Sequence, residues 1–260
     1  MAILESRTQT GTGWVKESIN LFKAQPRKWL SLSLAYVGLF MMLPSVPGME
    51  IFALVAILWW PVFIALAIAM YRNADNKKQQ NLSEVFGTLK PRVTALMALG
   101  GVCLLYGILV SLILSSDLQG LFKLSQLKGD MTPSQASIIA EKTLPLILKL
   151  MLLLLPLMMA TWFSPMLIAF NSYTVVKAIK SSIAGSIQYM VALSVAWLIV
   201  TIGVILLLVP VGIITGIMTS LMPNAGNLFA SVLVFGCLLL ATSLMLALQY
   251  VSYRDVFRAA

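Results

Sequence analysis

The chain has 260 residues, of which 60% are hydrophobic and 10% are charged, and its mean hydropathy is +0.94. Soluble domains are about 45 to 50% apolar and roughly 25% charged, so this composition argues against a water-soluble globular protein. The formal net charge is +9. Because the basic residues flank apolar runs, we expect them to meet anionic membrane lipids and not nucleic acid.

Six apolar segments are candidates to cross a bilayer core, which takes roughly 20 helical residues. The first is short, and a re-entrant segment is its main alternative. The segments run over 29–43, 51–71, 93–114, 146–170, 189–209 and 228–251. We therefore predict an all-α polytopic membrane protein, a single membrane domain over residues 1–260, with six transmembrane helices arranged as three hairpins.

A short amphipathic helix is predicted before each hairpin. Each has an apolar stripe at helical spacing and polar or basic residues opposite, which is typical of a helix in the headgroup layer. Packing as an elbow against the bundle is the alternative. Asn81 and Glu84 have capping-box spacing in the second copy. The stripes are Val15, Ile19 and Phe22; Leu82, Val85, Phe86 and Leu89; and Val176, Ile179, Ile183 and Ile187. They suggest a weak threefold repeat over 14–72, 82–170 and 174–257.

The distribution of basic residues predicts the orientation in the membrane. Of 18 Lys and Arg residues, all but Lys123, Lys128, Lys142 and Lys149 fall on the side that carries both termini. Short cytoplasmic loops retain positive charge, so we expect both termini and the three amphipathic helices in the cytoplasm. Candidate contacts for lipid headgroups on that side are Arg27, Lys28, Arg72, Lys77, Lys78, Lys90, Arg92, Lys177, Lys180 and Arg254.

The segment 115–143 is the only sizeable element predicted outside the membrane on the opposite side. Leu118, Leu121 and Phe122 form an apolar face, and Pro133 follows Thr132 at the first position of a helix. We expect two short helices here. A segment of this length cannot form its own core, so it should cap the bundle or dock a partner.

The sequence contains few residues that are candidates for catalysis. The chain has no histidine, and no acidic residue falls within a predicted span. We therefore expect no metal, no cofactor and no carboxylate-based relay or protease site, and no enzyme activity. Lys149 is the one charge near the hydrocarbon. Its side chain either snorkels to the interface or contacts a ligand, which would be the basis for an intramembrane enzyme.

Prolines and glycines mark other candidate positions. Kinks are predicted at Trp59, Trp60 and Pro61, and again at Trp162 and Pro165, with a further break at Pro156. Freed carbonyl groups there can bind a ligand, although shaping of the bundle is the commoner role. The Gly212–Gly216 spacing allows close helix approach, within the chain or between copies. We interpret the two cysteines, Cys103 and Cys237, as packing residues.

The sequence resembles a group of uncharacterised proteobacterial six-span membrane proteins. The residues that carry this resemblance are Gly13-Trp14, Leu21-Phe22, Pro26 through Trp29, the prolines of the second and fourth spans, and Tyr253-Arg254-Asp255-Val256-Phe257, in which the acid follows the arginine. A looser similarity extends to YciC-like proteins and to membrane domains attached to glycerophosphodiester phosphodiesterases. The resemblance implies a location in the bacterial inner membrane and a role in the envelope.

Two functional hypotheses follow. The first is a non-enzymatic accessory or assembly component of an envelope complex, with a membrane-protein partner or a second copy of the chain, because buried ionisable groups are lacking. The alternative is a transporter or lipid-handling protein for a hydrophobic or amphiphilic substrate, because of the repeats, the kinked spans and the basic surface.

Overall fold

The computed structural model describes residues 2–49, 51–78, 80–125 and 133–257, and this part of the chain is 93% helical without a strand. Its α-helices are α1 (Ala2–Ala24), α2 (Pro26–Val37), α3 (Ile51–Asp75), α4 (Leu82–Leu89), α5 (Val93–Ser125), α6 (Pro133–Trp162), α7 (Ser164–Asn171), α8 (Val175–Gln188), α9 (Met190–Leu221) and α10 (Pro223–Phe257).

Five helices of the described chain are long and apolar enough to cross a membrane. They cover Ile51–Asp75, Leu82–Asp117, Thr143–Asn171, Met190–Leu221 and Gly226–Phe257. Inside lipid no water pairs with the backbone N–H and C=O groups, so these segments pair them within a helix. This explains why the five segments are helical. The prediction of an all-α membrane protein is confirmed at this level.

The segment 29–43, predicted as the first span, is not one of these five helices. Its α-helix, α2, has only 12 residues and ends at Val37. A wide π-helical turn over Gly38–Met42 and a 3₁₀ turn over Leu43–Ser45 follow it. Glycine weakens an α-helix and Pro44 lacks a backbone N–H, so the regular hydrogen-bond pattern changes at this point.

The predicted loop 115–143 is largely helical. Helix α5 continues to Ser125, and α6 begins at Pro133, so both helices extend well past the predicted ends of their apolar cores. The expectation of two separate short helices was therefore wrong for the described residues. Pro133 is the first residue of its helix, as its ring geometry predicts, while Thr132 lies outside the described residues.

Two of the predicted proline breaks are absent. Pro61 lies inside α3 and Pro156 inside α6, and neither helix is interrupted there. The break before Pro165 is present: α6 ends at Trp162, Phe163 leaves the helical path, and α7 begins at Ser164. A proline inside a helix removes one backbone hydrogen bond, and local adjustment can accommodate this loss, as it does at Pro61 and Pro156.

The bundle is closely packed at one end only. We call this the closed end; its core contains Trp29, Tyr71, Phe163, Leu248 and Tyr253, all at most 1% exposed. At the other, open end the long helices leave most of their apolar side chains uncovered. Only 6% of the apolar window of α9, and none of that of Thr143–Asn171, is buried inside the chain. A surface of this kind suits contact with lipid chains.

The three amphipathic helices pack against the closed end, as the elbow interpretation predicts. In α1, Trp14 and Val15 are buried, and α1 lies on α9 and α10. In α4, Val85 and Leu89 are buried, and Asn81 precedes the helix without a side-chain cap, so the predicted capping box does not form.

Helix α8 is turned differently from the prediction. Its small residues Ala178, Ser182 and Gly185 are buried, whereas Val176 and Ile187 of the predicted apolar stripe are 63% and 60% exposed. Small side chains let two helices approach closely, and this explains why they form the packed face.

Candidate functional site

A cavity lies between α2, α3, α5, α6, α9 and α10, on the open side of the packed core. It consists of two adjoining parts of about 570 and 420 Å³, which share Tyr36, Met41, Trp60, Met158 and Thr161 as lining residues. We call these two parts together the central cavity. Its volume is within the range of about 300–1,000 Å³ that is usual for small-molecule sites.

The central cavity is open to the exterior of the bundle. Met158 lines both of its parts and is nevertheless 42% exposed. The reason lies in the packing of α6, which contacts α5, α7 and α8 but barely approaches α9 and α10 in the described structure. A gap therefore remains between α6 and the α9–α10 pair.

The walls are apolar and rich in aromatic side chains, with a few uncharged polar groups. The Trp60 indole N–H donates to the Tyr36 hydroxyl oxygen over 3.1 Å, and the Tyr36 hydroxyl proton has no acceptor among the described residues. Trp197 also lines the cavity, and its indole N–H makes no hydrogen bond within the described chain. Such groups can position a ligand that carries an ester, amide or hydroxyl.

Among the residues that the structure describes, no Asp, Glu, Lys or Arg lines the central cavity. Charged ligand groups are costly to hold in such a place, because no opposite charge compensates the loss of water. The cavity therefore suits an apolar chain with at most a neutral polar group.

The break at Phe163 lies beside the cavity, and protein side chains satisfy its backbone groups. Ser182 donates to the Met159 carbonyl oxygen over 2.7 Å and accepts from the Phe163 N–H over 3.0 Å. The Gln249 amide donates to the Trp162 carbonyl oxygen over 2.7 Å. These carbonyls are not open to a ligand or ion, so the structure supports the interpretation that this kink shapes the bundle.

The other predicted kink residues separate into different environments. Trp60 faces the central cavity, but Trp59, 41% exposed, lines a groove on the outer surface of α3. Pro61 and Pro165 are buried in helix packing. Sequence spacing found Trp60 and Trp162, and it missed Tyr36, Met158 and Trp197, because nothing local distinguishes them from other apolar residues.

The predicted headgroup contacts do not form one surface. Arg72, Arg92 and Lys177 approach the residues around the α7–α8 connection. Lys28 lies over the ring of Trp29. The remaining exposed side chains on this list are those of Arg27, Lys77, Lys78, Lys90 and Lys180.

Arg254, which was also predicted to contact headgroups, forms ion pairs within the protein. Its guanidinium donates to Asp75 and to Glu17, each over 2.7 Å, and Tyr250 donates to the same Asp75 oxygen. Helices α1, α3 and α10 are joined in this way. The neighbouring Asp255 accepts from the Trp14 indole over 2.7 Å and adds a second link to α1.

Lys149 lies away from the central cavity. Its ammonium group is 2.8 Å from Asp117 Oδ2, and this ion pair connects α6 to α5 with both side chains well exposed. Among the described residues, Asp117 is the polar group in contact with Lys149, and this ion pair gives no support to a catalytic role. The pair is accessible to solvent or headgroups and contributes at most about 1 kcal/mol.

The Gly212–Gly216 pair does not pack within the described chain. A Cβ atom at either position would meet nothing within 4 Å, and both residues are exposed. The interpretation of internal packing was wrong for this pair. Other glycines do serve close approach, among them Gly11 against Ala192 and Gly100 against Leu58.

Among the described residues, no group of three or more His, Cys, Asp or Glu side chains is placed to hold a metal ion. No family model, curated protein or solved structure matches this chain significantly. The resemblance to proteobacterial six-span proteins therefore stays a prediction, and function is argued from the site alone.

Proposed function

We propose that this protein binds membrane lipids or similar amphiphiles in the central cavity and handles them without chemical conversion. The observation that carries this proposal is the open, aromatic-lined central cavity, in which no described lining residue is charged. The cavity lies where the long apolar helices separate. Apolar cavities exclude water and accept apolar molecules. In a bilayer the nearest such molecule is the acyl chain of a lipid.

The proposed setting is the bacterial inner membrane, with six spans and both termini in the cytoplasm. The first of these spans, additional to the five long helices, is the helical path from Pro26 to Ser45, whose about 20 residues match the bilayer core despite the π-helical turn. The closed end then faces the cytoplasm, because the basic flanks at Arg72 and Arg92 belong to that end.

A cavity-filling substitution tests the proposal. Gly107 lines the larger part of the cavity, and a Cβ atom there would meet nothing within 4 Å, so Gly107→Leu is expected to place a bulky side chain in the cavity. Gly101→Leu on the same helix is the matched control, because Gly101 is equally uncrowded and lines neither part of the cavity. The measurement is the number of phospholipids retained after purification in mild detergent, by native mass spectrometry.

We expect the unmodified protein and the Gly101→Leu variant to retain lipid and the Gly107→Leu variant to lose it. Equal retention by all three proteins contradicts the proposed binding site. A second assay measures how fast a fluorescent lipid moves between the two leaflets of vesicles that contain the protein. Faster movement with the unmodified protein than with Gly107→Leu supports lipid handling beyond binding.

A second candidate function, an accessory component of a membrane complex, is favoured by a different observation. The exposed Gly212 and Gly216 of α9 leave a smooth surface among uncovered apolar side chains, which suits a partner helix. Affinity purification in mild detergent distinguishes the two functions: a stoichiometric partner lost in a Gly212→Leu variant favours assembly, and a solitary protein with bound lipid favours the cavity.

A further inference from the structure

Three basic side chains from three separate elements converge on one short connection, the α7–α8 loop (172–174). Arg92 donates to the Ser172 hydroxyl over 2.5 Å, and the Lys177 ammonium lies 4.0 Å from the centre of the Tyr173 ring. The Arg72 guanidinium is 5.1 Å from the ring of Phe170, in the last turn of α7. Positive charge is therefore concentrated around this loop.

Carboxylates do not neutralise the two side chains that touch the loop. Neither Arg92 nor Lys177 lies within 4.0 Å of a described carboxylate oxygen. Arg254 shows the contrast, because it is held between Asp75 and Glu17. A charge that is held in place by a hydroxyl or a ring, and not by an acid, remains able to bind an anion.

The loop backbone fixes the arrangement. Ser172 ends α7 in the left-handed region, at φ +56°, and Tyr173 donates its N–H back to the Leu167 carbonyl over 3.2 Å. Beside the loop the Tyr253 ring lies tilted against the ring of Phe170, and the Tyr253 hydroxyl donates to the Asn171 side-chain oxygen. The basic side chains thus surround a rigid turn, so less entropy is lost when they bind a ligand together.

We propose that Arg92 and Lys177, with Arg72 beside them, bind a phosphate group, carried either by a membrane phospholipid or by a soluble phosphorylated molecule. The exposed apolar side chains Val176 and Ile187 of α8 place the loop next to lipid, and this favours the phospholipid as the source. The site is separate from the central cavity, because Arg72, Arg92 and Lys177 do not line that cavity. The proposal does not rest on the proposed function.

The experiment uses the full chain in detergent and measures the shift in Tm on titration with short-chain phosphatidic acid, short-chain diacylglycerol or inorganic phosphate. We expect saturable stabilisation by phosphatidic acid, weakened about tenfold or more in affinity by Arg92→Gln with Lys177→Gln, because both charge-assisted hydrogen bonds to the phosphate are lost. Lys16→Gln in α1, an exposed lysine outside the proposed contacts, is the control and should bind as the unmodified protein does.

The other ligands distinguish the two possible carriers of the phosphate group. Equal stabilisation by inorganic phosphate assigns the site to a soluble phosphorylated ligand, whereas a response to phosphatidic acid alone assigns it to the membrane. If the Gln variants aggregate, Arg92→Lys with Lys177→Arg keeps the charges and should retain binding. Equal responses to phosphatidic acid and to diacylglycerol, which lacks phosphate, or identical affinities for the double Gln variant and the unmodified protein, overturn the proposal.

Discussion

Gly100 of α5 lies so close to α3 that a Cβ atom at this position would fall 2.5 Å from the Leu58 carbonyl oxygen. The neighbouring atoms belong to the backbone, which cannot move away as the end of a flexible side chain can. This contact sets the separation of α3 and α5, and both helices line the larger part of the central cavity.

Substitution Gly100→Ala should therefore destabilise the protein. Overpacking against a rigid neighbour costs about 1–3 kcal/mol, which is more than the helix propensity gained with alanine. Thermal unfolding in detergent measures the effect. Gly101→Ala, one residue along the same helix and free of close contacts, is the control and should leave Tm unchanged or slightly higher. Equal Tm values for the two variants would show that α3 and α5 are not in this contact.

Substitution Ser182→Ala should weaken the connection between α6, α7 and α8. It removes the donor to the Met159 carbonyl and the acceptor of the Phe163 N–H, and Ser182 is fully buried. A buried group left without a partner costs about 1–3 kcal/mol. The half-buried neighbour Ser181→Ala is the control. A Tm for Ser182→Ala that matches this control would contradict the hydrogen-bond assignment at the break.

Substitution Arg254→Gln should loosen α1 from the bundle. Glu17 and Asp75 then lose a common partner, and their partial exposure limits the cost to about 1–2 kcal/mol, between the values for surface and buried pairs. The expected result is faster amide hydrogen exchange in α1 around Trp14, with little change in α6. Lys180→Gln, which removes a charge without an ion pair, is the control. Unchanged exchange in α1 would show that Arg254 does not hold it.

The class of fold was predictable because the bilayer permits few structures. Apolar runs of sufficient length predict helices, and five of them are present as expected. The first segment was harder to predict because its helix changes type at Gly38, and such a change depends on how the helix packs against α3. The extension of α5 to Ser125 was missed because the change from apolar to polar residues indicates where the chain leaves the membrane. A helix can continue beyond that point.

The candidate site was less predictable than the fold. Trp60 and Trp162 were found through their prolines, although only the break at Phe163 is present. The cavity depends on how far α6 stands from α9 and α10, and this distance is set by tertiary packing at the closed end. The buried face of α8 was missed because Ser182 and Gly185 have no apolar signal, although their small size is what allows the contact.

The most direct test of lipid binding in the central cavity uses the two cysteines of the chain. Cys103 lines the cavity, whereas Cys237 of α10 lies outside it, and both are free thiols. The measurement is the rate of alkylation of each thiol by a small maleimide, in detergent, with and without added phospholipid. We expect added phospholipid to slow alkylation of Cys103 and to leave alkylation of Cys237 unaffected. Equal rates at Cys103 with and without lipid, or equal slowing at both thiols, would contradict it.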